Sequence, residues 1–422
     1  MHLQAYRLIA RVVHRLPLGA GRLSQSIAGR RDAVGQWIRW AAERRSDGQL
    51  VWIHAASVGE ALVAQPVVVR LRAALPALQV IHTYSSPAAA RWSNPFEAHG
   101  SGYVPLDEPG PVARVLDAIR PSLLMLARGD LWPELVMQTA ARGIGVAVFG
   151  ASVRPDSGRL RRPLRPLYAH MHRAVSWLGA VSSQHAARWV RLGVHSSAVQ
   201  VTGDPRHDQV LERVPELRRL GTLLEWSAGG TTLVAGSTRV KDNRVLLRAA
   251  REVFREHPNS RLLVIPHEPT DENVGKVLRQ AERLGLAASV WTSTHDPPEA
   301  RCVIVQELGL LFDLYALGAM AYVGGGFHQG QLHAVIEPAA YGLPVVMGPH
   351  YQWSDDARAL IDSGGGTVLP ERDSVAALAS CWGRMTEQHA ARAVAGLAAR
   401  RTLHSGAATQ TVTALLGLLK RE

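Results

Sequence analysis

A chain of 422 residues with short apolar runs set among Ala/Leu/Arg-rich stretches is too long for one ordinary core, and two α/β domains are expected. Cys302 and Cys381 stand apart without CxxC spacing, which excludes a disulfide framework and a structural zinc site and fits a reducing cytoplasm. A formal net charge of +12 calls for an anionic partner: nucleic acid, anionic lipid or a phosphorylated substrate.

The charge is unevenly spread. The first 50 residues hold nine arginines against Asp32, Glu43 and Asp47, half of the whole excess. Leu8, Ile9, Val12, Val13 and Leu16 recur at helical spacing, while Arg7, Arg11 and Arg15 fall on another face. Trp37, Ile38 and Trp40 mix with Arg39, Arg44 and Arg45 in the same way. Residues 1–48 are therefore expected to be a basic amphipathic segment that lies on an anionic membrane surface. The alternative is a helix docked on its own domain with a solvated basic face. No run of about 18 apolar residues predicts a membrane span, and the start lacks the apolar stretch and cleavage site of a signal peptide.

Downstream, strand-like runs alternate with helical stretches: LVWIHAA from 50, LQVIHTYS from 78, SLLMLA from 122, GVAVFGA from 145 and WLGAVSS from 177. A second series starts at TTLVAGS from 231 and continues through RLLVIPH, CVIVQ, MAYVGG and PVVMG. Each series predicts a parallel, doubly wound sheet. The expected layout is a domain over 49–205, a hinge over 206–219 and a second domain over 220–422. Ligands of such sheets bind beyond the carboxyl ends of the strands, so the residues just after each run are the candidates.

Ser57 and Glu60 form S-x-x-E ahead of an apolar helical run, the sequence form of a capping box. Gly59 beside the acid lets another molecule approach the backbone, and a carboxylate on such a loop is placed to act as a general base. Ser237 and Thr238 follow a strand, suited either to cap a helix or to hold a phosphoryl oxygen. His267 and Glu268 end another strand; they lack a spaced third metal ligand, so no metal site is expected. Gly324, Gly325 and Gly326 sit between a strand and a helix, where backbone N–H groups can face phosphate or simply make a tight turn. His333 and Glu337 lie four apart, on one face if that stretch is helical. Arg206 is a phosphate ligand or an ion-pair partner of Asp204 or Asp208.

HAASVGE (54–60), PLDEP (105–109), DLWPEL (130–135), GDPRHD (203–208), GST (236–238), PHE (266–268) and GGGFHQGQLHAVIEPAAYGLPVVMGPHY (324–351), taken in order, resemble the landmarks of the 3-deoxy-D-manno-octulosonic acid (Kdo) transferases of lipopolysaccharide biosynthesis. The resemblance implies a GT-B fold, two Rossmann-like domains facing a cleft, and inverting transfer of Kdo from CMP-Kdo to a lipid A precursor with neither catalytic metal nor cofactor. It implies Glu60 as catalytic base with Asp130 beside it. Donor contacts are expected from Arg206, Ser237, Thr238, His267, Gly324, Gly325, Gly326, His333 and Glu337, and acceptor contacts from Ser57, Gly59, Arg161 and Arg162. The site of action is the cytoplasmic face of the bacterial inner membrane, peripherally bound.

The chain departs from the family pattern in several places. Arg128 stands where an acid is frequent, Asp130 is shorter than the usual glutamate, and Ala334 replaces a frequent asparagine. GSTRVKDN is basic where acids are usual. Rival readings are another GT-B enzyme, either a UDP-sugar glycosyltransferase or a nucleotide-sugar epimerase, and a catalytically silent basic membrane-binding homologue. Nucleic acid is not expected, because aromatic-interleaved basic strands and its recognition motifs are lacking.

Overall fold

The computed structural model describes residues 2–15, 21–44, 48–92, 94, 96–160, 165–213, 215–294 and 299–420. The chain divides into two compact units, Met1–Gln209 with His404–Glu422, and Val210–Leu403. The division falls inside the helix Pro205–Glu212, within the stretch expected as a hinge.

The first unit holds seven parallel strands, β1 (Leu50–His54), β2 (Gln79–Tyr84), β3 (Gly100–Tyr103), β4 (Leu123–Ala127), β5 (Gly145–Ala151), β6 (Trp177–Ala180) and β7 (Val199–Val201), in the order β3-β2-β1-β4-β5-β6-β7. Its central strands are apolar on both faces because helices cover both. Leu50 and Trp52 of β1 pack with Trp37 and Leu116 on one face, while Val51 and Ile53 pack with Val67, Val412 and Leu415 on the other.

That second face corrects one boundary. The helix Ala407–Leu419 was expected in the second domain, yet Ala408, Val412, Leu415 and Leu419 recur at helical spacing and are buried in the core of the first unit. Each buried leucine there contributes about 2 kcal/mol. The helix is anchored at its start by Asp208, whose carboxylate accepts from Gly406 N at 2.5 Å and Ala408 N at 2.8 Å.

The N-terminal residues differ from the expectation in a second way. Along Arg22–Glu43, Trp37 is fully buried and donates to Tyr103 O at 2.9 Å, and Trp40 donates to His99 O at 2.9 Å, so this aromatic patch is part of the domain rather than a headgroup anchor. In the helix His2–Arg15 two polar residues reach the protein: Tyr6 donates to Asp107 at 2.6 Å and Arg7 to Glu134 at 2.6 Å. Leu8, Ile9, Val12 and Val13 are left exposed, Leu8 by 65%. Among the described residues no helix is long and apolar enough to cross a membrane.

The second unit repeats the plan with β8 (Thr231–Thr238), β9 (Ser260–Pro266), β10 (Ala288–Trp291), β11 (Cys302–Val305), β12 (Met320–Val323), β13 (Val345–Met347) and β14 (Gly366–Val368), ordered β10-β11-β9-β8-β12-β13-β14 and parallel throughout.

Candidate functional site

Strand order reverses between β1 and β4 in the first sheet and between β8 and β12 in the second. At such a switch point the connections leave in opposite directions and open a crevice beyond the strand ends. Both sets of sequence candidates fall there.

In the first unit β1 pairs with β4 in the register His54 to Leu126, so the turns that follow lie side by side. Glu60 sits in the first turn of the helix Val58–Ala74. Half of the capping box forms: Ser57 Oγ accepts from Glu60 N at 3.4 Å, while Glu60 Oε2 accepts from Ala56 N, one residue before the cap, at 2.5 Å. A Cβ on Gly59 would meet nothing within 4 Å, so the space in front of the helix is open. Burial, and then repulsion from Asp130, push the Glu60 carboxyl above its usual range against the pull of His54, the Ala56 amide and Arg128.

Asp130 lies after β4, beyond a turn in which Arg128 and Gly129 both take positive φ, 56° and 102°. For a residue with a side chain that conformation costs about 1 kcal/mol, and a costly turn beside a site marks an imposed geometry. Burial alone would raise Asp130; the bond and charge of His54, the charge of Arg159 and the bond from Trp132 together hold it below the usual carboxylate range. His54 is fully buried, its Nε2 3.3 Å from Asp130 Oδ2 and its Nδ1 3.0 Å from Thr83 Oγ1. Trp132 Nε1 donates to Asp130 Oδ2 at 3.2 Å, and the Arg30 guanidinium stacks over the Trp132 ring at 4.1 Å. Two neighbouring carboxyls whose protonation is driven apart form the arrangement from which acid–base roles are drawn.

In the second unit Ser237, with φ of 53°, marks an irregularity where β8 shifts register against β9. Neither Ser237 nor Thr238 caps the next helix, Val240–Glu256; Arg239 occupies the cap position and its N–H donates to Asp242 Oδ2 at 2.8 Å. The Thr238 hydroxyl is buried without a partner. Fully buried Asp242 also accepts from Gly325 N at 3.0 Å and from Tyr322 OH at 2.6 Å, tying the loop after β8 to the loop after β12.

The glycines of that loop are required by the protein itself. A Cβ on Gly324 would lie 2.3 Å from Ser237 O, on Gly325 2.1 Å from Gln331 O, and on Gly326 2.7 Å from Gly348 N. The His267 and His333 rings lie 4.3 Å apart. Burial, then Arg239, lower His267, with Glu268 opposing; burial, then His267 and Arg239, lower His333 to about 4, so His333 is neutral at neutral pH. Burial pushes Glu337 up to about 7, with Arg213 pulling down and Asp313 pushing up.

The sequence description 3-Deoxy-D-manno-octulosonic-acid transferase (kdotransferase) matches residues 30–209. A 3-deoxy-D-manno-octulosonic acid transferase of Bordetella pertussis is 30% identical over 412 residues, 91% of this chain and 93% of that protein. The chain belongs to the Kdo transferase family. It is a glycosyltransferase. The Kdo transferase of Haemophilus influenzae is 26% identical, with 75% of each chain covered. A UDP-GlcNAc 2-epimerase from Neisseria meningitidis, solved with UDP-GlcNAc, superposes with a TM-score of 0.63 at 13% identity over 88% of this chain and all of that one. At that identity the likeness speaks for the GT-B fold alone.

Within this Kdo transferase, Glu60, Ser57, Gly59 and Asp130 gather at the β1/β4 switch point, and Ser237, Thr238, His267, Gly324, Gly325, Gly326 and His333 at the β8/β12 one. Two expectations are corrected. The amides of Gly324 and Gly325 are spent on Gly236 O and Asp242, so those two N–H groups do not point at a phosphate. His333 precedes the short helix Ile336–Ala340, so it does not share a helical face with Glu337. Arg206 lies in the first unit and bonds Asp204 at 2.7 and 3.0 Å, the ion pair held as its alternative. Arg161 and Arg162 lie outside the described residues; nearby Arg159 donates to Gly129 O at 2.7 Å. Sequence reasoning assigned no role to His54, Thr83, Arg30, Arg239 or Asp242. His54 and Asp242 each stood inside a quoted motif, and a polar residue flanking an apolar strand was the available signal.

Proposed function

We propose that this Kdo transferase moves Kdo from CMP-Kdo to a lipid A precursor with inversion, the acceptor held by the first unit and the CMP-sugar by the second. The carrying observation is the pair of carboxyls at the β1/β4 switch point with opposite protonation preferences. Glu60 takes the proton of the acceptor hydroxyl as its oxygen bonds to the anomeric carbon and the CMP phosphate leaves with the electrons of the broken bond. A carboxylate in bulk water is a feeble base; desolvation and Asp130 strengthen this one. On binding, the acceptor displaces the Ala56 amide from Glu60.

On the donor side, the unpaired Thr238 hydroxyl and Arg239 are suited to the departing phosphate, and Glu337 to ribose hydroxyls. The exposed Leu8, Ile9, Val12 and Val13 stripe supports peripheral binding at the cytoplasmic face of the inner membrane, where the acceptor lies. The test is incubation with CMP-Kdo and a tetraacylated lipid A precursor, read by product mass, with CMP and UDP titrated calorimetrically. A mass gain of one or more Kdo residues and binding of CMP in preference to UDP are expected. No Kdo product, or preference for UDP, overturns the proposal.

A further inference from the structure

The second unit carries a basic groove that runs outward from Thr238, Arg239 and His267 of the proposed donor site. The helices Val240–Glu256 and Asp271–Arg283 flank a cavity of about 660 Å³. Arg244 and Arg248 stand one turn apart on one wall; Lys276, Arg279 and Arg283 follow at i, i+3 and i+7 on the other. Glu268 is the one acid in the lining itself, and Glu272 pairs with Lys276 at 2.5 Å. Arg244, Arg248 and Arg283 have no ion pair among the described residues.

Cations gathered around one space repel one another, and anionic charge between them relieves that repulsion. The inner end of the cavity overlaps the proposed donor site. Thr238 and Asn243, 3% and 6% exposed, both line it, and Thr238 Oγ1, Asn243 Oδ1 and Arg239 Nε are buried without hydrogen-bond partners. Buried polar atoms left unpaired in a folded protein await a ligand or water.

We propose that this groove binds a small anion carrying two or more phosphate groups, seated between the arginines of the two helices and distinct from the monophosphate of the proposed donor. Guanidinium forks match phosphate oxygens two at a time, and rows of cations one helical turn apart on each wall hold adjacent phosphates better than a single one. The inference does not depend on the identity of the transferred sugar.

The test is calorimetric titration of the full chain with inorganic pyrophosphate, and separately with CMP, for wild type and for the Arg248→Ser/Arg279→Ser double variant; both side chains are exposed, and equal melting temperatures check folding. Pyrophosphate affinity falls at least about tenfold in the variant, because charge-assisted bonds are lost, while CMP affinity stays within about twofold. Unchanged pyrophosphate affinity overturns the proposal. Parallel loss of CMP binding also overturns it, by making the groove part of the donor site. A third arm sediments the protein with phosphatidylglycerol vesicles. Pyrophosphate that releases a groove-dependent vesicle interaction supports the phosphate site, with a lipid head group as its source. Vesicle binding lost in the variant while pyrophosphate neither binds nor competes assigns the groove to the membrane surface and overturns the small-anion reading.

Discussion

The two switch points of this Kdo transferase are built in opposite ways. At β1/β4 the important groups titrate: Glu60 is driven up and Asp130 held down, each within reach of His54, on a framework of side-chain bonds. At β8/β12 the framework is backbone packed on backbone, with glycines where a Cβ would collide, amides tied to Asp242, and two imidazoles of lowered basicity. Proton transfer needs a group poised between two charge states. A nucleotide needs a rigid surface whose protonation does not drift.

The comparison is broken most sharply at Glu60. Glu60→Gln keeps the shape and the capping acceptor but removes the base, so kcat falls at least about a hundredfold while CMP binding is unchanged. Equal product rates in a mass-based assay would remove Glu60 from the chemistry and leave only its capping role.

The next largest effect is expected at the hub of the second loop pair. Asp242→Asn cannot accept from Arg239 N, Gly325 N and Tyr322 OH together, because one side of the amide is a donor. One buried group is left unsatisfied, costing about 2 kcal/mol of stability in urea denaturation and loosening CMP binding with the chemical step on bound donor little changed. A drop in kcat without weaker CMP binding would contradict the division of labour drawn here.

The smallest effect concerns pH. Glu337 is raised in the folded state to about 7 from an ordinary carboxyl value, so the folded protein holds this proton more tightly than the unfolded chain. Its contribution therefore falls as pH rises through that window and is fully unfavourable above about 7. Compared with Glu337→Gln, the wild type should lose about 1 kcal/mol of stability between pH 6 and pH 7. A constant difference across that range would mean that Glu337 ionises as freely in the fold as in water.

The four strands that the sequence pattern missed, β3, β7, β10 and β14, are the four edges of the two sheets. GSGY, VQV, ASVW and GTV carry no long apolar run, and most of their residues keep some exposure. An edge strand is paired on one side only and half covered by helices, so it needs no strand-length hydrophobic signature. The interior strands, buried on both faces, were all legible. At the site, Glu60 was legible through its motif and Asp130 through its neighbours Leu131, Trp132 and Pro133. Arg30 was not: it stands a hundred residues before the Trp132 ring it covers, in a stretch whose basic, aromatic composition suggested a membrane.

The order of the residues alone determined the alternation of strands and helices, the two sheets, the family and the loops that hold the candidate residues. Those features depend on local periodicity and on motifs within a few residues of one another. Tertiary structure decided the rest. It returned the helix Ala407–Leu419 to the first unit, spent the Gly324 and Gly325 amides inside the protein, and set two carboxylic acids to opposite protonation. Burial, hydrogen-bond satisfaction and the field at a buried charge are sums over neighbours distant in sequence, and they exist only once the chain has folded.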